Sequence, residues 1–223
     1  MPDVFDRDGK EAAIARVLAR EFNRARIALV GLIPGLEEWM TDVAPEFWGD
    51  HRANLVSGVT PLMSGVYVSQ AATMLEEFEF LGVDWGLVNE GAVDWARGYT
   101  YDLVTGLTDT SRRTLQKLIP GYFENQWTQG QLRDYLTPTF GSMRAEMIAR
   151  TEVTNAASEG EQETARQLAA QGIVMQPVWQ TRNDEIVCSI CGPRHNQPIN
   201  DGMYPAAHPR CRCWVGYEII PIA

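Results

Sequence analysis

All four cysteines of this 223-residue chain stand in its last 36 residues, as Cys188-Ser189-Ile190-Cys191-Gly192 and then His208-Pro209-Arg210-Cys211-Arg212-Cys213. No other feature limits the fold so strongly. Between two strand-like runs, residues 173–223 carry a loop-rich segment dense in Cys, His, Pro, Asn and Gly. A segment that small buries too little apolar surface to hold its shape without a staple. A Cys-x-x-Cys turn lets two thiolates face one ion, and Gly192 behind it is expected to take a positive φ that aims backbone N–H groups at sulfur. The second cluster offers His208, Cys211 and Cys213, three ligands for two places. Either His208 with Cys211 or Cys211 with Cys213 completes a tetrahedron, and alternation in an extended segment puts the two cysteines on one face. Four protein ligands close the coordination sphere, so the expected ion is a structural zinc and not a catalytic one. The competing readings are four free buried thiols, or two disulfides formed after lysis. The chain is expected to be made in a reducing cytosol, where clustered cysteines favour a metal. A hydrolytic zinc would ask for a histidine-rich triad beside a carboxylate base. No such set is legible, so no enzymatic activity is expected. His195 reads as a solvated loop residue and His51 as a helix-surface or capping residue.

Charge narrows the functions further. The 29 carboxylates outnumber the 19 basic groups, for a formal charge of -10. Proteins that grip phosphate backbones without regard to sequence normally carry the opposite sign. Residues 173–223 are neutral, because Arg182, Arg194, Arg210 and Arg212 offset four acidic residues. No stretch has the roughly 18–20 uninterrupted apolar residues of a membrane helix. The first residues lack the apolar core of a secretory signal.

The chain before residue 172 reads as helical. Ala13, Ile14, Val17, Leu18, Phe22, Ile27 and Leu29 recur at amphipathic spacing from Lys10 to Val30, and Gly31, Pro34 and Gly35 stop the run. A second helix is expected from about Pro45 to Phe80, with Pro61 and Gly65 as bends and Gly82 closing it. A third runs from about Asn89 to Leu107 with Trp95, Tyr99 and Leu103 on one face. Leu107-Thr108-Asp109-Thr110-Ser111 reads as a stop followed by an N-cap, with a new helix near Ser111. A short helix over Gln131–Leu136 should end at Thr137-Pro138. The strongest helical signal covers residues 140–171, with Gly172 as its C-cap. Beyond it, residues 173–181 and 214–220 read as strands, with Trp179 and Trp214 as an apolar floor. The expected class is α+β, predominantly helical. A helical N-terminal region spans 1–138, and a module over 139–223 joins the long helix to a small mixed α/β segment with a Cys/His zinc-type site.

Arg144-Ala145-Glu146-Met147-Ile148-Ala149-Arg150-Thr151-Glu152, continued by Thr154-Asn155-Ala156-Ala157, resembles the "A-x-x-I-A-R-T-E … N" helix of phage Mu F-like head-morphogenesis proteins. The sequel is similar too: Trp179, Asp184, Cys188, Cys191, a Gly/Pro/Asn-rich loop, then His208-Pro209-Arg210-Cys211-Arg212-Cys213. Each piece is weak alone, and their order is specific; the likeness spans about residues 135–216. It implies a minor head protein of a tailed bacteriophage, in the virion after assembly in the host cytoplasm. Procapsid assembly near the portal would be its work, and the portal, major capsid or scaffolding protein its partners, with at most a weak contact to DNA and none to a membrane. Arg150, Thr151, Glu152, Asn155, Trp179, Asp184, Pro209 and Arg212 are the family-motif positions beside the ligands. Arg150 or Glu152 is expected to tie the helix to the loop backbone of the cysteine module, because such loops leave many groups needing partners.

Two other functions compete. The four arginines of the module suit a zinc-ribbon-like nucleic-acid binder associated with DNA packaging or ejection. Arg150, Glu161 and Glu163 faintly resemble the Arg…Glu-x-Glu set of ADP-ribosyltransferases. All three lie in one expected helix, however, and Glu159, Glu161 and Glu163 read better as a solvated face.

Overall fold

The computed structural model describes residues 4–77 and 85–220. Five α-helices come first: α1 (Arg7–Leu32), α2 (Pro45–Glu77), α3 (Trp85–Glu124), α4 (Gln129–Phe140) and α5 (Ser142–Ala170). A three-stranded antiparallel sheet follows, built from β1 (Met175–Gln180), β2 (Gln197–Pro198) and β3 (Trp214–Ile219) in the order β2-β1-β3. The α+β class, helical with a small terminal sheet, is the one the sequence indicated.

Several boundaries moved. Helix α2 runs unbroken through Pro61 and Gly65; Phe80 and Gly82 lie outside the described residues. The stop expected at 107–111 does not exist, since α3 continues to Glu124. Ser111 and Thr114 turn their hydroxyls back onto the carbonyls of Leu107 and Thr110, so they serve the helix they sit in and cap no new one. The buried edge of α3 is Ala92, Ala96, Thr100, Val104 and Thr108, one position away from the half-buried Trp95, Tyr99 and Leu103. Helix α4 starts at a capping box, in which the Thr128 hydroxyl accepts from the Gln131 N–H and the Gln131 side chain accepts from the Thr128 N–H. It carries Pro138 in its last turn and ends at Gly141. Gly172 closes α5 with φ +87°, and the Ile173 N–H reaches back to the Leu168 carbonyl.

By contacts the chain forms two compact units. One comprises residues 1–11, 61–96 and 147–223; the other comprises 12–60 and 97–146. The division therefore crosses the helices and does not fall at residue 138, and the cysteine module belongs with stretches far from it in sequence. The second unit has a helical core of Ile14, Leu18, Phe22, Leu29, Leu55, Leu115, Leu136 and Phe140. His51 lies inside it at 3% exposure, ringed by Phe22, Phe47, Trp48 and Phe140, and not on the helix surface. No described helix is long and apolar enough to cross a membrane.

In the first unit, α5 meets α2 at close range. A Cβ on Gly160 would run into the Tyr67 carbonyl oxygen. Beside that crossing the buried Glu161 carboxylate accepts from Gln70 Nε2 at 2.7 Å. Glu161 is therefore a core residue, while Glu159 and Glu163 pair with Arg166 at the surface.

Candidate metal centre

The sheet supplies the floor of the module. Trp179, Val215 and Tyr217 are buried and pack with Leu168 of α5, with Ile199 and with Cys191, Cys211 and Cys213. Trp214 is only half buried and takes no part in that cluster. Strand alternation at the mouth of β3 explains the shift. Cys211, Cys213 and Val215 point inward, so Arg212 and Trp214 point away.

The turn at Cys188–Cys191 is closed by the Gly192 N–H on the Cys188 carbonyl, and the Cys191 N–H points at the Cys188 sulfur from 3.4 Å. Gly192 begins a short 3-10 turn without a positive φ, so glycine is not required there as expected. His208 Nε2 stands 3.1 Å from Cys188 Sγ and 3.3 Å from Cys191 Sγ, and Cys191 Sγ stands 3.9 Å from Cys211 Sγ. A tetrahedral zinc with ordinary Zn–S and Zn–N bonds has ligand–ligand edges of about 3.5–3.8 Å. The five donor groups form two sets that share Cys191: Cys188, Cys191, His208 and Cys191, Cys211, Cys213. Within each set the donor atoms lie within 4.8 Å of one another, and all four cysteines are free of disulfides. Residues of this kind at these separations can hold a metal ion.

The histidine is set for ligation. Its Nδ1 lies 2.8 Å from the Pro209 carbonyl, which makes Nδ1 the N–H donor and turns the Nε2 lone pair toward the sulfurs. That carbonyl, and the charge of neighbouring thiolates, also raise the His208 pKa. The sulfurs polarise one another. Donation from Cys213 pulls the Cys211 thiol down to about 5, whereas burial first and the Cys211 charge next push Cys191 up to about 12. Cys213 is raised further still, by its hydrogen bond to Cys211 and by burial. Crowded buried sulfurs cannot all ionise unaided, and a divalent cation would let the remaining thiols release their protons.

A polar seam ties this centre to α5. Thr151 Oγ1 accepts from the Arg210 N–H at 3.0 Å, Asn155 Oδ1 accepts from the Ala206 N–H at 3.1 Å, and Thr154 Oγ1 donates to the Cys211 carbonyl at 3.2 Å. Glu152, buried, accepts from Asn155 Nδ2 and so orients that amide. Arg150 pairs instead with Glu11 at 3.3 Å. The expected link between helix and module exists, but threonine and asparagine make these bonds where arginine or glutamate was expected. The spacing 151, 154, 155 places all three on one helix face, a signal the sequence already held. Arg7 had no such signal. It is 4% exposed, and its guanidinium donates to Thr154 Oγ1 and to the Cys213 carbonyl.

The remaining motif residues fall around the same centre. Asp184 pairs with Arg212 at 2.7 Å and accepts from the Ile186 N–H. The Arg212 guanidinium holds the Asp184 carboxyl below the ordinary range. His195 is no ligand and is half buried, its Nδ1 accepting from the Thr181 N–H. Arg194 pairs with Asp201 and lies over the Trp179 ring. No family model matches this sequence, and no curated protein or solved structure matches it either.

Proposed function

We propose that this chain is a minor structural protein of a tailed-phage head, acting in procapsid assembly near the portal, and that it binds one structural zinc and catalyses no reaction. One observation carries the reading. The two motif segments that resemble Mu F-like head-morphogenesis proteins, about fifty residues apart in sequence, meet through side chain-to-backbone bonds from Thr151, Thr154 and Asn155 to residues 206–211. Motif members that bond each other in this way serve the shape of the module, which suits an assembly role. The donor set supports zinc, since sulfur with one imidazole suits that ion above harder cations. Portal, major capsid or scaffolding protein would be the partner.

The test is composition of particles made from the genome that encodes this chain. Gradient-purified procapsids should contain the protein in few copies, and deletion of its gene should lower the yield of filled heads. Absence from both procapsids and virions would overturn the assignment.

A further inference from the structure

The helical unit has a small open recess of about 100 Å³, lined by Arg26, Ile27 and Val30 of α1 and by Arg133 of α4. Ile27 is 65% exposed there. Arg26 donates to two neutral oxygens, Thr137 Oγ1 at 3.1 Å and Asn23 Oδ1 at 2.8 Å, and its buried Nε finds no acceptor. Those bonds fix the guanidinium and leave its charge unbalanced. The Arg133 side chain is exposed and bonds nothing among the described residues. Two arginines that no carboxylate pairs with are out of keeping with a chain of formal charge -10.

The loop between α1 and α2 presents the opposite chemistry. Trp39 is 77% exposed, and Glu37 and Glu38 before it are exposed carboxylates that pair with no cation among the described residues. The loop is well tied. Asp42 accepts from the Val43 N–H and from Trp48 Nε1, each at 2.9 Å, from Gln116 Nε2 at 3.1 Å and from Arg112. Ile33 and Val43, on either side of the tip, are buried. A large aromatic ring held out on a fixed loop loses little freedom when it docks, as an interface anchor requires.

We propose that the Glu37-Glu38-Trp39 tip of one copy of this chain docks in the Arg26/Arg133 recess of a second copy. The indole covers Ile27 and Val30, and the two carboxylates reach the two guanidiniums. An arginine beside the ring adds attraction to its face. A phosphate would suit the arginines but not the apolar pair, whereas an indole flanked by carboxylates suits all four residues. The net charge of the chain opposes self-association at long range. Salt near 150 mM screens that repulsion beyond about 8 Å, and pairs in contact keep more of their attraction. Tip and recess are different surfaces, so the contact is heterologous and can close a ring of copies. Its small area makes it weak, with dissociation near about 100 μM.

Analytical ultracentrifugation of the full chain at about 150 mM salt, from about 5 to about 500 μM, should show reversible self-association. Trp39→Ala and Arg133→Glu should each weaken it about tenfold or more. Thermal melts of both variants should match the native chain, because both positions are exposed. Mixed in equal amounts, the two variants should associate again. The intact recess of the Trp39→Ala chain then receives the intact tip of the Arg133→Glu chain, a rescue that a defect of folding would not give. The proposal is overturned if the native chain stays monomeric throughout, if either variant associates as tightly as the native chain, or if the mixture stays as dissociated as its components.

Discussion

The two compact units of this chain are held together by different physics. The unit of residues 12–60 and 97–146 is helix on helix, with aliphatic and aromatic side chains filling its interior. In the unit of residues 1–11, 61–96 and 147–223, a short sheet, three buried thiols and a seam of hydroxyl, amide and guanidinium groups share the interior. Apolar contacts are many and individually replaceable, so a helical core tolerates change. Polar and metal-ligating contacts are few and fail together. The two should therefore respond differently to the same insult.

Metal removal separates them most. Ligation of a structural zinc contributes on the order of 10 kcal/mol in small modules. A chelator under mild denaturant should abolish the near-ultraviolet circular dichroism of the buried Trp179 while leaving most of the helical far-ultraviolet signal. Cys191→Ser, at the position shared by both ligand sets, should do the same. Elemental analysis of the fresh protein should find about one zinc per chain. Full native-state titration of all four thiols, without metal, would sink the zinc centre.

Next in size is Thr154→Val, which keeps the shape and deletes the hydroxyl that Arg7 donates to and that donates to the Cys211 carbonyl. Leaving a buried guanidinium short of an acceptor should cost about 2–3 kcal/mol. Proteolysis should then release the cysteine module first. Denaturant titration followed by near-ultraviolet circular dichroism measures the loss, and a change under about 0.5 kcal/mol would mean that the seam contributes little.

How far these two interiors could be read in the sequence differs for the same reason. Helical periodicity marked α1, α2 and α5 because an apolar stripe at 3.6 spacing has one physical cause. It failed at Ser111, where a hydroxyl can cap a new helix or bond back into its own, and only the neighbouring chain decides. The cysteine spacing announced the cluster, since a Cys-x-x-Cys turn and a second close pair can turn their sulfurs to one centre. The seam was half legible: Thr151, Thr154 and Asn155 sit on one face, yet nothing local says that Arg7, nearly 150 residues earlier, completes it. His51 and Glu161 were misjudged as surface groups because burial of a lone polar residue depends on tertiary contacts that no short window contains.

Glycines give a matched pair between the units. At Gly160 an added methyl meets the Tyr67 backbone, which cannot yield, so Gly160→Ala should destabilise by about 1–3 kcal/mol. At Gly106, in the middle of α3, nothing stands within 4 Å of the added carbon, and alanine there should stabilise by about 0.5–1 kcal/mol through helix propensity. Opposite signs in thermal melts of the two variants would support the contrast. The same sign in both would break it.

The smallest effect concerns acid. His51 is buried among aromatic rings, its Nδ1 3.4 Å from Glu21 Oε1, and burial lowers its pKa despite that carboxylate. Asn54 also bonds Glu21, and the positive Arg144 adds to the lowering. A folded-state pKa below the unfolded value means that the unfolded chain binds the proton more readily. The contribution of neutral His51 is therefore complete above about pH 6.5 and is lost as the pH falls below that value. His51→Phe should flatten the decline in melting temperature between pH 7.5 and pH 5.5 by a few degrees. Because the Cys/His cluster also titrates in acid, the comparison belongs in protein treated with a chelator. A steeper decline in the variant than in the native chain would show that His51 is charged in the fold and paired with Glu21.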